Sequence, residues 1–124
     1  MATTQRHAGD LKERVILQRR ALDNNGDRLG PWETVSSGAA DQGWAAQILR
    51  LKGGEPVMAQ RLQGVQPALI AVRSGTTTRQ VDNAWRAIEK RTGQIHDITS
   101  AIETPDRAWV EILTTAKAGE IAAL

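Results

Sequence analysis

The apolar residues of this chain come in short runs, and a turn signal follows each run. The runs at 14–20, 44–51, 68–73 and 108–114 hold Val, Ile, Leu and Trp, whereas the segments between them hold Gly, Pro, Asn and Asp. Short runs of this kind are typical of strands, and a long helix would need apolar residues at a period of 3.6. The chain is therefore predicted to be mainly β, a small antiparallel barrel or sandwich of six to seven short strands.

Two glycine-containing turn signals predict β-hairpins. Asn25-Gly26 lies in a polar segment between two alternating runs, and Thr92-Gly93 separates two further apolar runs. Asn and Gly tolerate the positive φ angles that tight turns require. We therefore expect residues 14–36 to form one hairpin with a long polar loop and residues 84–102 to form another.

The middle of the chain departs from this pattern. Gly53-Gly54 interrupts the strand signal, and good helix formers follow, with Pro56 in a position that a first helical turn accepts. Residues 53–64 are predicted to be a flexible loop or a loop with one short helix. With 124 residues the chain is expected to be a single domain, 1–124, with flexible ends at 1–8 and 116–124.

Composition excludes several classes of protein. The chain has no cysteine, which excludes a disulfide scaffold, a thiolate zinc site and a cysteine nucleophile. No apolar run reaches the roughly 20 residues that a membrane span needs. The first ten residues contain no apolar stretch, so they do not resemble a secretory signal, and no membrane partner is expected.

The sequence offers little for catalysis or metal binding. His96 is followed by Asp97, and alternation along a strand would place these side chains on opposite faces. We interpret His96 as an exposed polar residue of a strand and not as a catalytic base. The Asp23–Asp27 segment lacks the spacing of a calcium-binding loop and is interpreted as a turn. No enzymatic activity, cofactor or metal is predicted.

The only aromatic residues are four tryptophans, each of which falls on a predicted strand. They are expected to fill the core, because no other aromatic residue is present to do so. The alternative function, stacking on nucleic-acid bases, requires an exposed ring on a basic face. Trp85, with Arg86 beside it, is the candidate for that role.

Charge is segregated along the chain. Residues 1–20 carry +3, residues 21–41 carry −3, residues 42–95 carry +5 and residues 96–124 carry −3. Such segregation suits self-association through complementary patches, or a basic face near nucleic acid, while ordinary solvated charge is the simpler interpretation. The basic residues that surround the mid-chain loop are Arg50, Lys52, Arg61 and Arg73.

The order of these features resembles a known family. A Gly-x-Leu-x-x-Arg-Val segment at 9–18 leads into the polar turn at 23–27 and a Trp-led strand at 32–35. A strand beginning Trp-Ala at 44 and a Gly-Glu-containing loop at 53–55 follow. This order is similar to the phage head–tail joining proteins, also called head closure or stopper proteins, and the similarity extends over residues 8–117.

The resemblance implies a structural role in the virion after assembly in the host cytoplasm. Such proteins form a ring, typically of six copies, between a portal or adaptor ring above and a tail terminator or tail tube protein below. The ring closes the filled capsid of a phage or gene transfer agent and later lets double-stranded DNA pass, held without sequence preference. The candidate channel-loop or DNA-facing residues are Arg50, Lys52, Gly53, Gly54, Arg61 and Arg73.

Two other functions remain open at this point. An OB-like barrel that binds single-stranded nucleic acid as a monomer would have the same strand content and would use an exposed tryptophan. A small β-barrel hydrolase is disfavoured, because the sequence holds no nucleophile motif.

Overall fold

The computed structural model describes residues 8–38, 43–51 and 55–122. Seven strands make up most of it: β1 (Glu13–Arg20), β2 (Trp32–Thr34), β3 (Trp44–Arg50), β4 (Val65–Arg73), β5 (Arg86–Glu89), β6 (Gln94–Glu103) and β7 (Trp109–Ile121). One α-helix, α1 (Glu55–Leu62), lies between β3 and β4. Single 3-10 turns occupy Ala8–Asp10 and Thr78–Gln80.

Six of the strands close into an antiparallel barrel in the order β1-β3-β4-β7-β6-β5. Closure occurs where β5 pairs with β1, with Val15 opposite Glu89 and Gln18 opposite Arg86. The short strand β2 extends the sheet beside the last residues of β1. The mainly β prediction is confirmed, and of its two alternatives, barrel and sandwich, the structure is the barrel. Of the two forms predicted for residues 53–64, the structure has the one with a short helix.

The two ends of the barrel differ. At the upper end, β1 finishes at Arg20 and β7 begins at Trp109; at the lower end, β3 finishes at Arg50 and α1 follows. Side chains alternate between the interior and the outer face along each strand. The buried interior cluster contains Val15, Leu17, Ala46, Ile70, Val72, Val81, Trp85, Ala87, Ile98, Val110 and Ile112.

The tryptophans confirm the core prediction in part. Trp85 and Trp109 are buried, and Trp44 packs against the interior cluster. Trp32 lies on the outer strand β2 and is half-buried. The hypothesis that Trp85 stacks on bases is wrong, because only 7% of this residue is exposed and it packs inside the upper end of the barrel.

The turn interpretation of residues 23–27 is confirmed. Asp23 Oδ1 accepts hydrogen bonds from the backbone N–H groups of Asn25 and Asp27, each at 2.9 Å, and Gly26 takes φ +85°. The carboxylate therefore stabilises the turn itself. This arrangement is the usual way in which aspartate shapes a loop.

The final strand is longer than the sequence predicts. The prediction places it at 108–114, whereas β7 continues to Ile121, where it pairs with Gln94 of β6. Residues 116–121, expected to be flexible, thus belong to a hydrogen-bonded strand. Gly93, at φ +78°, allows this, because a Cβ there would lie 2.8 Å from Ile121 Cγ2.

Candidate functional site

Polar side chains gather inside the lower end of the barrel, where β3 ends. Glu89 and His96 point inward from β5 and β6, and only 1% of each is exposed. Arg50, the last residue of β3, approaches them from the rim and forms an ion pair with Glu89. We call Arg50, Glu89, His96 and Thr114 the lower-mouth network.

Each polar group of this network has a partner. His96 Nε2 donates to Glu89 Oε1 at 2.7 Å, and Nδ1 lies 3.2 Å from Thr114 Oγ1. Thr92 Oγ1 donates to Glu89 Oε2 at 3.3 Å. The described residues leave no buried side-chain polar atom without a hydrogen bond. A fully satisfied network of this kind holds four strands, β3, β5, β6 and β7, in a fixed arrangement.

The expectation that His96 is exposed is wrong. His96 pairs with Ala87 on β5 and with Ala116 on β7, and both of these alanines are buried. Residues paired across antiparallel strands share a face, so the imidazole must enter the barrel. Asp97 lies on the outer face, as the alternation predicts.

The ionised form of Glu89 is favoured despite its burial. The hydrogen bond from His96 lowers the pKa of Glu89, and the charge of Arg50 and the hydroxyl of Thr92 act in the same direction. Desolvation opposes them by penalising the carboxylate. The partners outweigh desolvation, so the pKa of Glu89 lies below its ordinary value.

This pKa shift predicts a pH-dependent stability. Because the folded-state pKa is lowered, ionised Glu89 stabilises the fold fully above the unfolded value of about 4.3, and this contribution is lost as pH falls through the folded value. We expect the stability advantage of the wild type over Glu89→Gln to shrink as pH falls below about 4.3. Urea unfolding of both proteins across acidic pH measures it. A constant difference would contradict the assignment.

The structure separates the predicted site residues into two groups. Arg50 and Arg61 lie at the lower end, where Arg50 binds Glu89 and Arg61, on α1, is exposed and donates to Met58 Sδ at 3.7 Å. Arg73 lies at the upper end, with its guanidinium 5.2 Å from the Trp109 ring centre. Arg73 therefore does not join the basic rim that the sequence suggested. Lys52, Gly53 and Gly54 lie outside the described residues.

A cavity of about 310 Å³ opens at the lower mouth. Its lining comes from Arg50, Gly64, Gln66, Thr92, Gln94, His96 and Ala116. Both ring nitrogens of His96 are engaged within the protein, and Glu89 is held by three partners. In the described part of the chain, no group of three or more His, Asp or Glu could hold a metal. The arrangement fits a structural role better than a catalytic one.

Sequence reasoning missed a second cluster, at the upper end. The guanidinium carbons of Arg20 and Arg86 lie 4.5 and 4.4 Å from the centre of the Trp32 ring. Alternation along β1 places Gln18 and Arg20 on the outer face, and this shared face could be predicted from the sequence. That Arg86 pairs with Gln18 was not visible, because the two are 68 residues apart.

The fold defines the class of protein: a small closed barrel of six antiparallel strands, with one helix, α1, inserted between β3 and β4. The polar groups inside the barrel bind one another, which suits a structural protein. The sequence matches the family model described as phage head completion protein over residues 6–118. The chain belongs to this family. It is accordingly a structural protein of the phage head and a component of the virion.

The solved structures support the fold. A chain from "Virion of native gene transfer agent (GTA) particle" is similar at a TM-score of 0.55 and 16% identity. The match covers 90% of this chain and 96% of that one. No curated protein matches the sequence. Within the described ranges, no helix has the length and hydropathy to cross a bilayer.

Proposed function

We propose that this protein forms a ring of six copies that closes the DNA-filled head and provides the docking surface for the tail. A portal or adaptor ring lies above it, and a tail terminator or tail tube protein lies below. DNA passes through the ring on ejection. Membership of the head completion family supports the role in the head. The segment between β3 and β4, which contains α1 and which we call the mid-chain excursion, is the part that we propose closes the channel.

The exposure of α1 supports a contact between this helix and another molecule. Its described side chains are exposed, and 85% of Leu62 is accessible together with much of Met58. Among the described residues, the main contact of α1 is with the neighbouring strand β4. The exposed Met58 and Leu62 would be available to a contact with another copy or another molecule of the virion.

The strands that flank this excursion are already joined at its base. The backbone N–H of Leu51 donates to the carbonyl of Pro67 at 3.0 Å, and the Gln66 amide donates to Leu51 O at 2.8 Å. The excursion can therefore move without opening the barrel. A segment with Arg61 on its surface would meet DNA through charge alone, without base recognition. We assign residues 50–64 as the DNA-facing part of the ring, and the placement of Arg73 at the other end removes it from this set.

The monomeric nucleic-acid module is less well supported. Its stacking residue was Trp85, which is buried in the barrel. Trp32 is half-buried, and the guanidinium groups of Arg20 and Arg86 already lie over its ring. None of the four tryptophans is fully exposed, whereas single-strand binding uses exposed aromatic rings.

Deletion of the gene tests the proposed function. We expect a producer without this protein to release tail-less heads that are empty or leaking, beside free tails, because neither closure nor docking takes place. Electron microscopy of purified particles measures it, and restoring the gene provides the control. Complete particles in normal number would refute the head-closure role.

A further inference from the structure

Two strand segments at the upper end of the barrel have a neighbouring strand on one side only. Strand β2 pairs with β1 and stands last in the sheet. Strand β6 pairs with β7 up to Glu103, but on its other side β5 begins at Arg86, opposite Asp97. The described residues place no strand beyond β2, and none beside residues 98–103 of β6 on that side. We call Trp32–Thr34 the β2 edge and residues 98–103 the β6 edge.

The backbone of the β2 edge directs two residues away from the barrel. The N–H of Ala21, at the end of β1, donates to the carbonyl of Pro31 at 2.8 Å. Residues of an antiparallel strand alternate between bonding the partner strand and pointing away from it. Pro31 and Glu33 therefore face β1, whereas Trp32 and Thr34 each direct an N–H and a C=O to the open side.

The β6 edge has the same arrangement. The N–H of Thr104 donates to the carbonyl of Trp109 at 2.8 Å, so by alternation Ile102 also bonds β7. Ala101 and Glu103 then direct their N–H and C=O groups to the open side. No described residue forms a hydrogen bond with these outward groups. A row of unpaired backbone groups is a template for another strand.

The two edges lie on opposite sides of the barrel. Strand β2 takes the place of β3 beside the upper part of β1, because β3 pairs with β1 at residues 13–15 and β2 pairs with it at residues 18–20. In the ring of six strands, β3 and β6 stand three places apart in either direction. The β2 edge and the β6 edge therefore face opposite ways at the same end of the molecule.

The directions of the two strands are also complementary. Strand β1 runs toward the upper end, so its antiparallel neighbour β2 runs toward the lower end. Strand β7 starts at the upper end, so β6 runs toward that end. A rotation about an axis along the barrel thus brings the β2 edge of one copy antiparallel to the β6 edge of the next. A second copy suits both edges at once, because it carries the matching number of outward residues.

We propose that the β2 edge of one copy adds as an antiparallel strand to the β6 edge of the next copy. In the register that uses all the outward groups, Trp32 pairs with Glu103 and Thr34 pairs with Ala101, and each pair exchanges both backbone hydrogen bonds. The exposed Ile102 then faces Glu33 across the contact. Two different surfaces on opposite sides of a subunit form a head-to-tail contact, which closes into a ring when the rotation allows. The inference rests on the proposed ring and names its contact.

Disulfide cross-linking in particles tests this register, because the natural chain contains no cysteine. Glu33→Cys and Ile102→Cys are introduced together into a complemented deletion strain, and purified particles are oxidised and analysed on a non-reducing gel. Facing residues of this type have Cα atoms about 4.5 Å apart, which a disulfide can span. We expect a ladder of covalent multimers from the double variant and none from either single variant.

A matched pair of cysteines controls for chance collisions. Leu113 is also exposed, but it lies on β7, which has β4 on one side and β6 on the other. Particles with Glu33→Cys and Leu113→Cys should therefore form at least about tenfold less multimer than particles with the facing pair.

A proline in the β2 edge tests the backbone bonds without cysteine. Thr34→Pro removes an N–H that points away from β1, so the barrel keeps its own hydrogen bonds. We expect the amount of this protein per purified head, measured by quantitative mass spectrometry, to fall at least about threefold, as the loss of one hydrogen bond at each contact predicts. Thr34→Val retains the N–H and should be incorporated normally. Thermal unfolding of both purified variants checks that the barrel is intact.

The outcomes separate this contact from the proposed function. Absence of the ladder together with normal incorporation of Thr34→Pro would overturn the strand contact, while DNA retention in the same particles still reports on head closure. A ladder from one single variant would show that like edges meet and would overturn the head-to-tail pairing. Loss of Thr34→Pro from heads without any ladder would overturn the β6 edge as the partner and indicate another virion protein. Complete particles from the deletion strain would refute the proposed function itself.

Discussion

Replacing Glu89 by alanine will lower the free energy of unfolding by about 2–4 kcal/mol, because it leaves the buried ring of His96 without its hydrogen-bond acceptor and removes a buried side chain. His96 would lose the acceptor at 2.7 Å, and Arg50 would lose its ion pair at the rim of the barrel. For a chain of this size the melting temperature should fall by about 10–20 °C. Urea unfolding at neutral pH measures the change.

Glu33 provides a matched control for this prediction. It is also a glutamate that contacts two arginines, Arg19 and Arg28, each at 3.3 Å. Its side chain is 43% exposed, so water replaces the lost contacts, and Glu33→Ala should cost no more than about 1 kcal/mol. If the two substitutions destabilise equally, the lower-mouth network does not stabilise the barrel as its burial indicates.

Shortening the mid-chain excursion will leave the barrel folded but make most heads lose their DNA. In this variant an Asn-Gly turn replaces residues 54–63, and the flanking strands remain joined by the bond from Leu51 to Pro67. Because the described side chains of α1 are exposed, the free energy of unfolding should change by no more than about 1 kcal/mol. Nuclease protection and electron microscopy of the heads measure retention of the DNA.

Point variants separate the length of the excursion from its chemistry. Arg61→Gln removes the exposed charge of α1, and Leu62→Ser removes its exposed aliphatic side chain, while both keep the chain length. If only the shortened variant leaks DNA, the length of the excursion is what retains the DNA. If Leu62→Ser leaks DNA as well, retention depends on an apolar contact of this side chain. Normal DNA retention in the shortened variant would count against residues 53–64 as a closing element.

Local patterns were sufficient to predict the elements of the fold. The strands around Val15, Ile70 and Ile112, the turn at Asp23–Asp27 and the helix after Gly54 all follow from residues close together in sequence. Alternation also predicted that His96 and Asp97 face opposite ways. The assignments succeeded because strand pleating, positive φ and helix propensity are decided over a few residues.

Which face of each strand enters the barrel was decided by pairing between distant segments. His96 is buried because its partners are Ala87 and Ala116, and Trp85, directly before β5, is buried because it packs in the interior cluster. The meeting of Arg20, Trp32 and Arg86 likewise depends on β5 joining β1. The sequence by itself determined a mainly β chain that is interrupted at residues 53–64, where a loop and a short helix both remained open. Only barrel closure decided which polar groups are buried together and which remain outside, because register fixes every side chain's face at once.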